Sequence, residues 1–209
     1  MARGIFIALD GVDGAGKTTQ CQRLVPWLRE RGWAVTVCRD PGGTPVGDAI
    51  RRLLLGDRHD MTALCEMFLY MASRAQLVAA VVRPALERGE VVLSDRFLLA
   101  NVVYQGHAGG LDPDRIWDVG RLATGGVLPD LTVVLDLPPD EAFARKDGPA
   151  DRMESKGADY FAKVRAGFLA EAQRAPGRIA VVNAGQPPEQ VQDDIRREVA
   201  RVVGTRAGA

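Results

Sequence analysis

Lysine is scarce in this chain. Only four of its 27 basic residues are lysines, at positions 17, 146, 156 and 163, and the rest are arginines. Net charge is missing altogether: Lys+Arg and Asp+Glu both number 27, so the formal net charge is zero. Overall electrostatics therefore give no case for binding nucleic acid or an anionic membrane. The three cysteines, Cys21, Cys38 and Cys65, are widely spaced with no C-x-x-C. That spacing argues against a disulfide or zinc framework and reads as buried thiols in a reducing compartment. No run approaches 18 apolar residues and no signal-peptide pattern opens the chain. Neither a membrane span nor export is expected, and the expected location is cytoplasmic. No internal repeat is visible, and low complexity is confined to the small-residue tail from Gly204 to Ala209.

What is present is 46% hydrophobic content over 209 residues, enough for one α/β domain, 1–209, with a sizeable buried core. Short apolar runs at 4–10, 34–39, 90–94, 131–136 and 179–183 read as strands buried on both faces. Amphipathic stretches at 17–32, 45–55, 60–88, 112–124, 138–146, 158–174 and 188–203 read as helices between them. The alternation predicts a three-layer, doubly wound, parallel five-stranded sheet with helices on both faces. Ligands bind at the carboxyl ends of the strands in such a sheet. Segments 11–18, 40–44 and 95–97 all follow predicted strands, so they should converge on one cleft.

The first of those segments is Gly11-Val12-Asp13-Gly14-Ala15-Gly16-Lys17-Thr18, which is G-x-x-x-x-G-K-[ST] between a predicted strand and a predicted helix. Its glycines let successive backbone N–H groups face a phosphate chain. Lys17 reaches the β- and γ-phosphates, and the Thr18 hydroxyl holds Mg²⁺. The positive end of the following helix dipole adds to the same field. A lysine at this position, in a chain with only four, strengthens the match. The motif makes the fold a P-loop NTPase fold and the donor a nucleoside triphosphate, with Gly11 to Thr19 around it.

Four further groups carry chemistry, each with a plainer reading beside it. Arg39-Asp40-Pro41-Gly42-Gly43-Thr44 puts two charged residues beside a turn at a strand end. Asp95-Arg96-Phe97 offers an acid suited to Mg²⁺, directly or through water, and a guanidinium suited to phosphate. A solvated Asp-Arg pair at a helix start is the alternative. Tyr70 and Arg74, four apart on one helical face, suit a nucleobase, although core-plus-surface packing is the commoner explanation of such a pair. The charged, turn-rich stretch from Arg145 to Arg152 is either a solvated loop or a lid that closes cations over a transferring phosphoryl group.

In this order the pieces resemble the thymidylate kinase family of nucleoside monophosphate kinases. The markers are Asp10 to Gln20, Arg39 to Thr44, Arg51-Arg52-Leu53-Leu54-Leu55, Tyr70 with Arg74-Ala75-Gln76, Asp95-Arg96-Phe97, Tyr104-Gln105-Gly106 and Asp151-Arg152-Met153-Glu154. The resemblance runs over nearly the whole chain. It implies phosphorylation of dTMP to dTDP by ATP–Mg²⁺, a step toward dTTP, with ATP and dTMP as partners and a homodimer with a helical interface. It implies that Asp13 approaches the sugar 3′-hydroxyl or organises groups around the acceptor phosphate, and that Arg51 and Arg96 hold that phosphate. Tyr70 would stack on thymine, Arg74 would donate to thymine O4, and Gln105 would contact the other base edge. Asn101 would lie near the base, and Tyr104 would exclude a 2′-hydroxyl. Asp40 would belong to the acceptor site, and Asp95 with Thr18 to the metal. Arg145 would lie on adenine, bordered by Asn183 to Gln186.

The chain departs from the family pattern at several places. Asp40 and Asp10 stand where the family usually has Glu, and Tyr70 where it usually has Phe. Ala100 and Val103 stand where the family usually has a Ser and a small residue before Tyr104-Gln105. Gly14 occupies the position where some members carry a P-loop arginine. A lid at about 145–157 would then supply the catalytic cation, Lys146 first and Arg152 second. Two other readings remain at this stage. One is a kinase for another monophosphate or a nucleoside. The other is a non-catalytic nucleotide switch, although Val182-Asn183-Ala184-Gly185 lacks the N-K-x-D expected of a guanine-selective one.

Overall fold

A computed structural model describes residues 3–56, 60–145 and 157–204. Five parallel strands, β1 (Ile5–Gly11), β2 (Val35–Arg39), β3 (Val91–Asp95), β4 (Leu131–Asp136) and β5 (Ile179–Asn183), form one sheet in the order β2-β3-β1-β4-β5. The doubly wound architecture predicted from the alternation is the one observed. β1 lies at the centre, with Ile7 opposite Leu93 of β3 and Leu131 of β4. The order reverses beside β1, which is where such sheets open their ligand crevice.

The period-two alternation of the central strands builds two cores. Ile5, Ile7 and Leu9 of β1 and Val91 and Leu93 of β3 point to one face. There they meet α1 (Lys17–Arg29), α8 (Ala158–Arg174) and α9 (Pro188–Gly204) through Leu24, Phe161, Phe168 and Ile195. Phe6, Ala8 and Val92 point to the other face, against α3 (Ala63–Leu77) and α6 (Pro113–Thr124) through Met67, Met71 and Ile116. Both faces of β1, β3 and β4 are covered, which is why they read as unbroken apolar runs; contrary to the expectation, the edge strands β2 and β5 leave Val37 and Val181 exposed, because each has a neighbour on one side only.

The predicted helix at 60–88 is interrupted. Its regular part is α3, followed by a π-helical turn at Val78–Val82 and then α4 (Arg83–Glu87). Pro84 lies in the first turn of α4. It has no N–H to donate backward, and the wider π turn before it accommodates that loss. Ala63–Glu87 taken together is long and apolar enough to cross a membrane by length and composition alone, a test that a core helix also passes. It nevertheless buries Glu66 and Arg74 against the rest of the chain.

One element was missed. α5 (Leu98–Asn101) continues into a π-helical turn at Val102–His107, where no helix was expected. Val102, Val103, Tyr104, Gln105 and Gly106 are all buried, so the segment has no polar stripe to give it helical periodicity. Two helices are shorter than expected: α1 stops at Arg29, and α7 spans only Pro139–Ala144. By contrast, α2 (Pro45–Leu55) keeps its expected bounds. Cys21 and Cys38 are buried as expected, but Cys65 is exposed. It lies on the outer side of α3, whose inner side is fixed by Glu66, Met67 and Arg74.

Candidate active site

The donor side is built on the turn between β1 and α1. Gly11 and Gly14 have φ of 133° and 85°. A Cβ on Gly11 would stand 2.5 Å from the Leu135 carbonyl oxygen, and one on Gly14 only 2.1 Å from that of Ala142 in α7. Close backbone packing therefore excludes any side chain at either position. Lys17 is buried. Its Nζ donates to the carbonyls of Gly11 at 3.2 Å and Val12 at 2.8 Å and lies 3.8 Å from Asp13. Burial pulls its pKa down to about 8, with the nearby Arg96 guanidinium adding to the pull and Asp13 opposing it.

Thr18 Oγ1 donates to Asp95 Oδ2 at 2.6 Å, which sets a hydroxyl beside a carboxylate at the end of β3. Such hard oxygen donors fit Mg²⁺, whose remaining ligands are commonly waters and substrate phosphates. Among the described residues no group of three or more His, Cys, Asp or Glu offers an all-protein metal cage. A cleft of about 970 Å³ opens here, lined by Gly14, Gly16, Lys17, Thr18, Thr19 and Arg145, among others. On its far side Arg145 Nη1 donates to the Ala184 carbonyl at 2.9 Å, within the loop expected to border adenine.

Arg96 joins the donor side to a second cavity. Its φ is 66°, rare outside glycine, and its N–H donates to Leu9 O at 2.9 Å. Its guanidinium donates to Asp13 Oδ1 at 2.7 Å, to Gly11 O at 2.8 Å and to Asp10 Oδ1 at 3.4 Å. Burial opposes its charge, but Asp13 and Asp10 outweigh that and hold it firmly protonated. Asp10 itself is pushed up to about 6 by complete burial, against the attraction of Arg96 and Lys17. The Tyr104 ring lies 5.2 Å from the Arg96 guanidinium, and burial raises its phenol pKa.

The second cavity, about 580 Å³, is lined by Asp13, Asp40, Arg51, Tyr70, Arg74, Arg96, Asn101, Tyr104 and Gln105, together with Pro41, Leu55, Phe97 and Ala100. Every residue expected at the acceptor lines it. Asp13, Asp40, Arg51 and Arg96 line the 970 Å³ cleft as well, so the two spaces share one charged wall. Arg51 Nη1 donates to Pro41 O at 3.0 Å, and burial lowers its pKa. Arg74 is buried. Its Nε donates to Asp40 Oδ2 at 2.5 Å, its Nη1 to Asn101 Oδ1 at 3.2 Å, and its guanidinium lies 5.4 Å from the Phe97 ring. Burial raises the Asp40 pKa, and Arg74 limits the rise.

Gly11, Val12 and Ala15 shape the P-loop without lining the cleft, whereas the other expected nucleotide residues line it. Lys146 and Arg152 lie outside the described residues. Sequence reasoning did not assign site roles to Asp10, Arg39, Glu66 or Phe97. Glu66 was the accessible one, because 66, 70 and 74 repeat at four-residue spacing along α3.

A P-loop with an arginine-rich second cavity across a shared charged wall defines a P-loop nucleotide kinase. Comparison with known proteins narrows the class. The family model described as thymidylate kinase matches residues 9–195. A thymidylate kinase of Desulforudis audaxviator is 51% identical over 184 residues, covering 87% of this chain and 83% of that protein. One of an Exiguobacterium species is 48% identical over 195 residues, covering 92% of each. That of Clavibacter sepedonicus is 44% identical over 209 residues, covering 99% of each. The chain belongs to the thymidylate kinase family.

The Lys17 value makes nucleotide binding pH-dependent. A polyphosphate on the loop favours the ammonium form and raises a pKa that burial holds at about 8. At pH 8, ATP binding should take up ~0.5 proton at this residue. Affinity is full below that pH and weakens, by up to about tenfold per unit, as pH rises through 8 toward the pKa of the bound state. Calorimetry at pH 8 in buffers of different ionisation enthalpy measures the uptake. A value indistinguishable from that of Lys17→Arg would refute the assignment.

Proposed function

We infer that this chain transfers the γ-phosphoryl group of ATP to dTMP, giving ADP and dTDP. The shared wall of Asp13, Asp40, Arg51 and Arg96 carries this reading, because it lets an acceptor phosphate in one space face a γ-phosphate in the other. An oxygen of the dTMP phosphate attacks the γ-phosphorus in line. A new P–O bond forms as the bond to the β,γ-bridging oxygen breaks, and that electron pair leaves on ADP. The acceptor is already ionised at neutral pH, so no strong general base is needed, and catalysis is positioning plus charge neutralisation.

In this reading Lys17 leaves the carbonyls of Gly11 and Val12 for the β- and γ-phosphates. Arg96 and Arg51 hold the acceptor phosphate, with Asp13 fixing Arg96 and facing the sugar. Thr18 and Asp95 would hold Mg²⁺, which supplies Lewis-acid neutralisation of the phosphate oxygens when bound. Tyr70 stacks on the base, Arg74 donates toward its O4, and Tyr104 crowds the 2′ position. Arg145 flanks adenine. Residues 1–209 act as one kinase domain in the cytoplasm, with 145–157 as the lid and Lys146, then Arg152, as its cation. Substrate and metal sites are the chain's own, and neither nucleic acid nor membrane is required.

A second copy of the chain is the proposed partner. Val46 and Leu53 on α2 and Leu64 and Phe68 on α3 are large apolar side chains about half exposed on two adjacent helices. Packing two such faces about a two-fold axis gives the helical interface of the homodimer.

Three measurements test these readings. ADP release against dTMP, dUMP, dCMP and thymidine should show kcat/KM for dTMP at least about tenfold above dCMP and thymidine. Equal rates would end the dTMP assignment. Lys146→Ala should lower kcat by roughly 10²–10³ with both KM values nearly unchanged, since it removes a contact made to developing charge. An unchanged kcat moves the cation elsewhere. Sedimentation should report a dimer that Phe68→Asp converts to monomer; a wild-type monomer would refute the interface.

A further inference from the structure

Behind the acceptor cavity runs a chain of buried polar side chains. Arg74 Nη1 donates to Asn101 Oδ1 at 3.2 Å, Asn101 Nδ2 to Gln105 Oε1 at 2.7 Å, and Gln105 Nε2 to Glu66 Oε2 at 3.1 Å. All four residues are at most 2% exposed. Arg74, Asn101 and Gln105 line the cavity and Glu66 does not. The ends of the chain have opposite character. A guanidinium can only donate, and a carboxylate can only accept. Each amide between them can satisfy both neighbours in one orientation alone. Turning Asn101 or Gln105 over sets N–H against N–H or oxygen against oxygen, which a buried site tolerates poorly.

That polarity has a consequence at the cavity. It presents Asn101 Oδ1, an acceptor with a second lone pair, next to the N–H groups of Arg74. An acceptor beside donors complements a base edge that carries N–H beside C=O, as the N3–O4 edge of thymine and uracil does. Cytosine presents a bare nitrogen beside an amino group, the reverse pattern. We propose that Glu66 is a specificity-determining positioning residue: from behind the cavity, together with Arg74 at the other end of the chain, it locks the polarity of the Gln105–Asn101 pair and thereby sets the preference for a thymine-type edge over a cytosine-type edge. The proposal rests on the dTMP reading of this cavity. Gln105, whose oxygen and amide nitrogen are both engaged in the chain, acts here as a link and not as the base-reading group expected from the sequence.

The test uses the isosteric Glu66→Gln, which keeps shape but can donate as well as accept, and so releases the lock at one end. The ratio of kcat/KM for dTMP to that for dCMP should fall by roughly tenfold, mainly through KM for the acceptor, with KM for ATP unchanged. In the double variant Glu66→Gln/Gln105→Glu, the carboxylate introduced at position 105 accepts from Asn101 on one side and from the amide introduced at position 66 on the other. Asn101 is thereby locked again, and the ratio should recover toward the wild-type value. A folded Glu66→Gln protein with the wild-type ratio overturns the proposal, as does a double variant with no recovery. Should wild type itself fail to prefer dTMP over dCMP, the substrate reading falls first. A purely structural role for Glu66 would lower both acceptors' rates together and leave the ratio unmoved.

Discussion

The site depends on one buried arginine and what it costs to hold it. Arg96 sits in a left-handed backbone conformation at the end of β3, tied by its own N–H to Leu9 and by its carbonyl to the Ser94 hydroxyl at 2.6 Å. Its guanidinium spans from Asp10 at the end of β1 to Asp13 inside the P-loop. An unpaired buried guanidinium would be destabilising by several kcal/mol, and removing one partner of a buried pair typically costs about 3–5 kcal/mol. The P-loop and the charged wall of the second cavity are thus fixed to each other through a single charge. The strain of the φ 66° backbone is of order 1–3 kcal/mol, and it points the side chain across the strand order's reversal instead of along β3.

Charge compensation then organises everything around it. In and behind the two spaces stand Asp10, Asp13, Asp40, Lys17, Arg51 and Arg74, of which Asp10, Asp40, Lys17 and Arg74 are buried. Burial pushes Asp10 and Asp40 up and Lys17 and Arg51 down. Arg74 and Arg96 limit the rise of Asp40 and Asp10, whereas Arg96 and Arg39 add to the fall of Lys17 and Arg51, which nearby acids oppose. At Lys17 and Arg51 the cationic form is incompletely compensated, a state suited to binding phosphates, because an anion relieves a desolvation penalty that folding has already imposed. Lys17 shows it most directly: its ammonium rests on the two loop carbonyls of Gly11 and Val12.

Much of this was legible in the sequence, for physical reasons that differ from part to part. The strands were legible because a parallel sheet covered on both faces demands short unbroken apolar runs, and Ile5 to Leu9 is one. The P-loop was legible because phosphate binding imposes fixed spacing on backbone, lysine and hydroxyl. The helix that carries Asn101, Tyr104 and Gln105 was not, since burial on all sides erases the amphipathic period on which helix reading relies. Glu66 drew no assignment from the sequence, and its place in the first turn of α3 is one where the dipole favours an acid at the surface too. What sets it apart is the amide across from it, 39 residues away in sequence. Cys65, next to it, failed in the opposite direction, because which side of α3 faces inward is decided by tertiary packing.

Gly14 brings donor binding and catalysis into one steric argument. A Cβ there would meet the Ala142 carbonyl at 2.1 Å, so a P-loop arginine at this position would require α7 to retreat. α7 cannot retreat freely, because Arg145, which caps it, is held to Ala184 beside the P-loop cleft. The tight seat of α7 against the P-loop therefore closes one source of catalytic charge and fixes the place from which the next segment departs. Lys146 follows Arg145 directly in sequence, one of only four lysines in the chain. The proposal of a lid cation thus accords with the contact that keeps the P-loop bare: a helix packed closely enough to exclude a side chain at position 14 also ends beside the P-loop cleft, two residues before that lysine.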